Sequence, residues 1–355
     1  MRKFLVQLGI LSSIVLLACF LLSEVTFSDD FLVYKTKDTA FKKIGWNLNL
    51  INNEPKRLEN SIVFLGSSLV QGGINDSLLQ QSGISAINMG VPHNGNEIGL
   101  YFLERIKDKD PKEVIFLKGK TPFNGLHKMT PLLYTSSELF EGGQRFNPDY
   151  ISFVFKKTKL CLEYIFFKML QKQPKADLEY SNFLSRPYGV VYATDTVSTK
   201  IYNETVLENT KKKSDEYYNL YQNDFLYQDE INGSAFSNNL KIAKRKLVLT
   251  AWVENNFITN IKSQESFIES AIQICKRNEI KVGKIYIPKL VDVKNYSNVP
   301  YNRNFYKPVP SDSIGVYHLD SFQFLKAKEH WADFDHLDES GADLFTKEVL
   351  KTLQN

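Results

Sequence analysis

The amino-acid sequence predicts an α/β fold, in which three layers are built around a parallel β-sheet. Three observations lead to this prediction: an apolar stretch over residues 4–22, an alternation of short apolar runs with amphipathic segments from residue 61 onward, and the loss of that alternation between about residues 124 and 250. Short apolar runs separated by helical patterns are typical of parallel strands joined by right-handed crossovers. We therefore expect one N-terminal transmembrane helix and a parallel-sheet domain with a mostly helical insertion.

The composition is that of a globular protein. The chain has 355 residues, of which 43% are hydrophobic and 24% are charged, and this length is enough for one large domain. A formal net charge of +4 is too small to indicate a nucleic-acid partner. The sequence therefore predicts an ordered domain that does not bind nucleic acid.

The apolar stretch over residues 4–22 has the length of a membrane span. At about 1.5 Å per residue it covers roughly 28 Å, close to the roughly 30 Å of a hydrocarbon core. Arg2 and Lys3 precede the stretch, whereas the acidic residues Glu24 and Asp29 follow it. Positive charge favours the cytoplasmic side, so the remainder of the chain is expected outside the cytoplasm, anchored by a single pass in the cell membrane.

Three interpretations of this N-terminal segment remain open. A retained signal-anchor over residues 1–23 is favoured because the apolar run is long and no small-residue cleavage site follows it. A cleaved signal peptide is the second, and lipoprotein processing at Cys19 is the third. All three place the following residues outside the cytoplasm at or near a membrane.

The domain is expected over residues 61–355, after a polar and aromatic juxtamembrane stem over residues 24–60. Its first strand ends at Gly66, and its last helix begins near a glycine close to the C-terminus. In chain order, the predicted elements are strand Ile62–Leu65, a helix capped by Asn75 or Asp76 and ended by Gly83, strand 84–88, a helix from Asn96, strand 114–117, a helix over about 264–277, strand 282–287 and a helix over 341–353.

The insertion at about 124–250 is rich in Tyr, Phe, Lys and Asn. Within it, residues 151–173 form an apolar segment edged with lysines. Such a helix lies either in a membrane interface or in a protein core with a solvated basic face, and both interpretations stay open. The lysine run 211–213 is expected to be solvated, although an anionic polymer would attract it.

Two segments far apart in the chain carry the chemistry of a serine hydrolase. Gly66-Ser67-Ser68-Leu69 follows the first strand directly, at the sheet edge where open α/β sheets hold their sites. Asp333 and His336 lie in one loop, at a spacing that lets the carboxylate fold back toward the imidazole Nδ1. A serine hydroxyl needs an imidazole to take its proton, and the imidazole needs an acceptor on its other nitrogen. Ser68, His336 and Asp333 are therefore the predicted catalytic residues, with Ser67 as an alternative nucleophile.

These two segments resemble the first and last conserved blocks of the SGNH (GDSL-like) hydrolase superfamily. Gly66-Ser67-Ser68-Leu69 looks like the first block, with Ser68 at the nucleophile position, and the segment from Asp333 to Leu337 looks like the last. With its N-terminal anchor, the chain is most similar to the membrane-anchored branch that includes teichoic-acid D-alanyl transfer and alginate O-acetylation proteins. The resemblance covers roughly residues 60–123 and 260–355.

The resemblance implies a flavodoxin-like fold and acyl chemistry on a polymer outside the cytoplasm. It implies a serine esterase or acyltransferase that acts on acyl groups, O-acetyl above all, of a cell-surface polysaccharide, together with a membrane-bound O-acyltransferase. No cofactor is implied. The alternative is a catalytically weak scaffold that binds a polysaccharide or the O-acyltransferase.

The segments that supply oxyanion donors in this family depart from its pattern. In the second block, His93 stands near the usual position, and Gly90 or Gly95 is a substitute. In the third block, Lys118-Gly119-Lys120-Thr121 stands where the family has an asparagine. The candidate oxyanion or substrate residues are Ser67, Gly90, His93, Asn94 and Lys120, in addition to the Ser68 backbone N–H. Loss of one such donor typically lowers the rate about a hundred- to a thousandfold.

The sequence gives little support for a metal site or a disulfide. His330, Asp333, Asp335 and His336 contain metal-binding residue types, but no HExxH spacing or second ligand cluster accompanies them, so no metal site is predicted. Cys161 and Cys275 permit one disulfide, although nothing in their spacing demands it.

Overall fold

A computed structural model of the chain describes residues 2–36, 41–92, 95–117, 126–144, 146–169, 260–288, 315–317, 322–325, 330–331 and 336–354. The predicted α/β class is confirmed by a parallel sheet with helices and by one apolar N-terminal helix.

The sheet has five described strands, all parallel, in the order β2-β1-β3-β4-β5. This is the strand order of flavodoxin-like doubly wound sheets, which bind ligands beyond the carboxyl ends of β1 and β3, where the strand order reverses. The strands are β1 (Ile62–Leu65), β2 (Ala86–Asn88), β3 (Glu113–Leu117), β4 (Lys281–Ile285) and β5 (Gly315–Tyr317).

The described α-helices surround this sheet and extend from it at the N-terminus. They are α1 (Arg2–Ser23), α2 (Asp29–Thr36), α3 (Lys42–Asn53), α4 (Ser68–Gly73), α5 (Asp76–Gln81), α6 (Asn96–Ile106), α7 (Thr130–Leu133), α8 (Ser136–Glu141), α9 (Pro148–Met169), α10 (Asn260–Arg277) and α11 (Glu339–Gln354).

Alternate residues of each strand face opposite layers of helices. Val63 and Leu65 of β1 belong to the hydrophobic cluster that includes residues of α3, α6 and α10. Ile62 and Phe64 belong to a second cluster, which contains Phe345 and other residues of α4, α5 and α11. Both faces of the sheet are covered, as parallel sheets require.

Helices α2 and α3, which lie within the predicted stem 24–60, pack into the core of the domain. The helices α2 and α3 pack on each other, and the apolar side chains of α3, including Ile44 and Leu48, are buried in the same cluster as β1. The polar side chains of Lys43 and Asn47 are buried there as well. Both helices therefore contribute to the core of the domain.

The helix α1 is long and apolar enough to cross a membrane. Its window Val6–Ser23 has a mean hydropathy of 2.3, and 11% of that window is buried. Its last turns contact α9 and α8: Cys161 Sγ lies 3.0 Å from the Leu22 carbonyl, and Ser23 Oγ contacts Ser136 Oγ. By length and composition it is a candidate anchor or signal helix.

The described part of the insertion, residues 126–144 and 146–169, is mainly helical. It contributes α7, α8 and α9, of which α9 packs against both α1 and α7. Residues 170–259 lie outside the described part of the chain, and so does the lysine run 211–213. The predicted helix over residues 151–173 corresponds to α9, which ends at Met169 where the description stops.

Cys161 and Cys275 are buried free thiols rather than a disulfide. Burial raises the pKa of Cys161, and it raises the pKa of Cys275 to about 12. Both residues therefore pack as small apolar side chains.

Candidate active site

The turn from β1 into α4 presents two adjacent serines that do different work. Ser67 is the N-cap of α4, and its hydroxyl accepts a hydrogen bond from the Leu69 N–H at 3.3 Å. Serine is among the residues preferred at this position because its oxygen satisfies an otherwise unpaired helix N–H. Ser67 is buried, whereas Ser68 is partly exposed. The structure thus favours Ser68 over Ser67 as the accessible hydroxyl.

Gly66 allows the tight turn that places Ser68 beside β3. A Cβ atom at this position would lie 2.6 Å from Val70 Cγ2 and 2.8 Å from Leu117 Cβ, distances too short for any side chain. The Gly66 carbonyl also accepts a hydrogen bond from the Val91 N–H at 3.0 Å. The end of β1 is therefore held against both neighbouring strand ends.

The Ser68 hydroxyl contacts His336, a residue near the other end of the predicted domain in sequence. The distance from Ser68 Oγ to His336 Nε2 is 2.8 Å, although the two residues are separated by 268 positions in the chain. This is the geometry in which an imidazole nitrogen accepts a serine proton. The structure therefore brings together the predicted nucleophile and the predicted base.

The loop that carries His336 is fixed on both sides of the imidazole. Leu337 is buried and forms an antiparallel bridge with Trp331, whose Nε1–H donates to the Leu325 carbonyl at 2.8 Å. Asp338 donates its N–H to the His330 carbonyl at 3.0 Å, and its Oδ1 accepts from the Gly341 N–H at 2.8 Å at the start of α11. His336 is thus placed by its neighbours rather than by its own bond to Ser68 alone.

Helix α11 is also joined to the helices that follow the nucleophile. The Asn75 N–H donates to Thr346 Oγ1 at 2.9 Å, and Asn75 Nδ2 donates to Asp343 Oδ1 at 2.6 Å. Helix α11 packs on α4 and α5, so His336 and Ser68 are carried next to elements of the same helix layer.

Beneath the nucleophile, Asn88 joins the end of β2 to α4. Its Nδ2 donates to the carbonyls of Val70 and Ile74 at 2.8 and 2.7 Å, and its Oδ1 accepts from the Gly90 N–H at 2.9 Å. The side chain is fully buried. The Val70 carbonyl also accepts from the Ile74 N–H at 3.2 Å, whereas Ile74 is the C-cap of α4, where helices leave carbonyls unpaired. Asn88 therefore satisfies the acceptor at the end of that helix.

Gly90 has a packing role in this arrangement. A Cβ atom there would lie 2.5 Å from the Gln71 backbone nitrogen, so a glycine lets the chain after β2 touch α4. Its N–H is bonded to Asn88, and it would have to leave that bond to donate to an oxyanion. Of the candidate oxyanion residues, Gly90 is thus engaged elsewhere in this structure.

The buried carboxylate of Asp76 supports Asn88 from below, and it is coupled electrostatically to the buried Lys43. Asp76 Oδ2 accepts from the Asn88 N–H at 2.8 Å, and the charge of Lys43 on α3 acts on the same carboxylate. Burial raises the pKa of Asp76, an effect that the Lys43 charge opposes. Burial lowers the pKa of Lys43 to about 8, an effect that Asp76 opposes. The pair links the first helices of the domain to the nucleophile layer.

A second buried polar cluster holds the segment just before His93 and Asn94. His127 Nδ1 accepts from the Met129 N–H at 3.1 Å, so its Nε2 carries the proton and donates to the Pro92 carbonyl at 2.8 Å. Glu97, which is fully buried, accepts from the His127 N–H at 2.5 Å and from Thr130 Oγ1 at 2.9 Å. His127 is structural, and it fixes where the next loop begins.

The remaining predicted site residues fall outside the description. Asp333, His93, Asn94 and Lys120 are not among the described residues, nor is Asp335. His330, also considered as a metal ligand, has its Nδ1 2.9 Å from Ser340 Oγ.

Sequence reasoning did not assign roles to Asn88, Lys43, Glu97 or Trp331. Only Asn88 could have been noticed in the sequence, since it ends a strand two residues before Gly90, the glycine that packs on α4.

The comparisons with known proteins do not indicate a function for this chain. The chain matches no protein-family model, and it matches no solved structure. It is similar to an inactive lipoate–protein ligase 2 of Plasmodium falciparum (isolate 3D7), with 22% identity over 345 residues that cover 85% of this chain and 86% of that protein. An identity this low does not show a shared family.

Proposed function

We propose that this chain is a membrane-anchored, extracytoplasmic serine esterase or O-acyltransferase of the SGNH (GDSL-like) type. Its substrates would be acyl groups, O-acetyl above all, on a cell-surface glycan or a related polymer. The observation that carries the proposal is the 2.8 Å contact between Ser68 Oγ and His336 Nε2 beyond the carboxyl end of β1. The parallel sheet order and the candidate anchor α1 support it.

The proposed reaction is a two-step acyl exchange. Ser68 Oγ attacks the acyl carbonyl carbon while His336 Nε2 takes the hydroxyl proton. The tetrahedral intermediate then collapses, the bond to the leaving oxygen breaks, and His336 returns the proton to that oxygen. Water or a polymer hydroxyl then attacks the acyl-serine, giving its proton to His336 and restoring Ser68. No oxidant, reductant or metal enters this balance.

The other groups act on charge and orientation in this scheme. Asp333 orients His336 and stabilises its imidazolium form. The Ser68 N–H is the first of α4, where helix N–H groups lack an intrahelical acceptor, and it donates to the oxyanion. Asn94, with His93 and Lys120 as alternatives, supplies the second donor.

A fluorophosphonate probe tests the proposal, because it reacts covalently only with an activated serine. We expect the full chain in detergent to be labelled, and Ser68→Ala and His336→Ala to lower the labelling rate by about a thousandfold or more. Ser67→Ala is the matched control, because its hydroxyl caps α4. It should keep most of the labelling while lowering the unfolding free energy by about 1 kcal/mol. Full labelling of folded Ser68→Ala would refute the assignment.

One observation favours a second function. The Gly90 N–H is already bonded to Asn88, which removes one candidate oxyanion donor. A catalytically weak protein of the same fold would then bind a polysaccharide or a membrane-bound O-acyltransferase without turnover. Absence of labelling in the folded wild-type chain, together with retained binding to an acetylated polysaccharide, would favour this scaffold over the enzyme.

A further inference from the structure

Helix α9 has one apolar face buried in the domain and a second apolar face exposed. The buried face includes Phe153, Cys161 and Phe167. The exposed face consists of large apolar side chains that are 44% to 72% exposed and recur at the three- and four-residue spacing of a helix stripe. Its residues, named here the α9 stripe, are Ile151, Phe155, Leu162, Ile165, Phe166 and Met169.

The α9 stripe adjoins the candidate membrane helix α1. Thr158 Oγ1 lies 3.5 Å from the Cys19 carbonyl, and Cys161 Sγ lies 3.0 Å from the Leu22 carbonyl. Thr158 lies between Phe155 and Leu162 along α9, so the contact with α1 borders the stripe directly. Any bilayer that contains α1 therefore begins next to this exposed apolar face.

The charges beside the stripe are mainly basic. Lys156 and Lys159 are exposed on α9. Glu163 is neutralised by Lys35, whose Nζ lies 2.8 Å from its carboxylate. Lysines next to an exposed apolar stripe are typical of helices that lie in a membrane interface, where anionic headgroups attract the ammonium groups.

We propose that α9 is an interfacial helix, whose stripe enters the headgroup and acyl boundary of the membrane that α1 crosses, with Lys156 and Lys159 contacting anionic lipid headgroups. This contact goes beyond the proposed acyl chemistry. It holds the domain on the membrane surface by a second attachment, in addition to the α1 anchor. It relies on α1 remaining in the membrane, which the experiment measures separately.

Lipid-borne quenchers test the proposal in the full chain. A small environment-sensitive fluorophore is attached to Phe155→Cys or Phe166→Cys, and the protein is reconstituted in vesicles of phosphatidylcholine with phosphatidylglycerol that carry a headgroup nitroxide. The three native cysteines are buried, so the unmodified chain serves as the labelling blank. The matched control is Lys351→Cys on α11, which packs on the opposite face of the sheet and is exposed. We expect quenching at both α9 positions to exceed that of the control by about threefold or more.

A reporter on α1 separates the two membrane claims. Leu11→Cys should be quenched by an acyl-chain nitroxide. If it is, while the α9 positions are no more quenched than Lys351→Cys, the stripe is covered by protein instead and the proposal fails while the anchor stands. If Leu11→Cys is not quenched, both the anchor and the interfacial helix are refuted.

The lysines provide a second measurement. The double variant Lys156→Glu with Lys159→Glu should lower the quenching at Phe155→Cys by about twofold in vesicles with phosphatidylglycerol. It should leave the quenching in pure phosphatidylcholine vesicles unchanged. Equal quenching of variant and parent in the anionic vesicles would overturn the headgroup contact.

Discussion

Asn88 joins the strand end after β2 to the helix that carries the nucleophile. Every polar atom of its amide is used, by two carbonyls of α4 on one side and by the Gly90 N–H on the other. A buried amide with all its partners is rigid, whereas the same amide with one partner missing is costly. We therefore treat Asn88 as a positioning residue for Ser68, which it does not touch.

Replacement of Asn88 by leucine should separate positioning from stability. Asn88→Leu removes the Asn88 partner of the buried Ile74 carbonyl and of the buried Gly90 N–H, so the unfolding free energy should fall by about 2–4 kcal/mol. The fluorophosphonate labelling rate of the remaining folded protein should fall by about tenfold or more, because α4 loses its support.

Asn47 offers the control for this prediction. It is also buried, and its Nδ2 donates to the Met89 carbonyl at 3.0 Å, but its side chain makes no bond to α4 among the described residues. Asn47→Ala should therefore lower stability while keeping the labelling rate of folded protein within about twofold. A similar loss of labelling rate in both variants would show that Asn88 acts through general stability alone.

At the residue scale, the sequence led us to expect Ser68 beside His336, while their catalytic roles stay predictions. Ser68 and His336 were paired from the strand before one and the loop around the other, and their contact is observed. The role of Gly90 could not be read in the same way. Its N–H is taken up by a side chain two residues earlier, and nothing in a linear sequence records which donors are already used.

At the scale of elements, α11 determines where the base lies. It begins directly after the His336 loop, and its Gly341 approaches the His330 carbonyl so closely that an added Cβ atom would lie at 2.1 Å. The clash is with backbone, which cannot rotate away. The helix start and the loop before it must therefore separate if this glycine gains a side chain.

Gly341→Ala should displace His336 although residue 341 is not itself a candidate site residue. We expect a lower melting temperature and a labelling rate that falls by about tenfold or more, since His336 moves with the loop. Gly99→Ala on α6 is the control, because its added Cβ would meet Leu65 Cβ at an ordinary 3.7 Å. That change should be neutral or should stabilise by about 0.5–1 kcal/mol, as alanine favours helices over glycine. Unchanged labelling in Gly341→Ala would contradict the role given to α11.

Elements with purely apolar buried residues were predicted, whereas elements with polar buried residues or very short length were missed. Strand β1 was predicted with its observed bounds because all four of its residues are buried and apolar. Helix α3 was taken for part of a stem. Its buried side includes Lys43, Asn47 and Asn49, so polar residues interrupt the apolar pattern that marks a core helix. Strand β5 was not predicted, since three residues are too few to show a period.

For the molecule as a whole, the buried pair of Lys43 and Asp76 connects stability to pH. The folded chain releases the Lys43 proton at a pKa of about 8, whereas the unfolded chain releases it near the ordinary lysine pKa of 10.5. Between these values the unfolded state binds more protons, so the Lys43 contribution makes the unfolding free energy rise with pH. Below about pH 8 this contribution is constant.

Lys43→Met should remove this part of the pH dependence. We expect the difference in unfolding free energy between wild type and variant to grow by up to about 3 kcal/mol between pH 8 and pH 10.5, in favour of the wild type. Denaturant titrations followed by tryptophan fluorescence at several pH values measure it. Lys157 has its pKa lowered to about 8 by burial as well, so the variant keeps a smaller slope. Parallel curves over this range would contradict the prediction.

The global architecture was more predictable than the pairing of its polar residues. Alternating strands and helices predicted the parallel sheet, and crossover rules restrict how such strands are ordered. The core pair of Lys43 and Asp76 joins residues from two segments that the sequence had placed in different parts of the molecule. Burial of charge is decided by three-dimensional packing, which composition and periodicity do not report.

The separation of 268 positions between Ser68 and His336 has a consequence during synthesis of the protein. The serine leaves the ribosome with β1, and the chain must be made through residue 336 before the imidazole exists. On the proposed function, a fragment that stops before residue 336 would carry the hydroxyl without the imidazole that activates it. Fluorophosphonate labelling would then depend on synthesis through residue 336 and on the packing of α11 against α4.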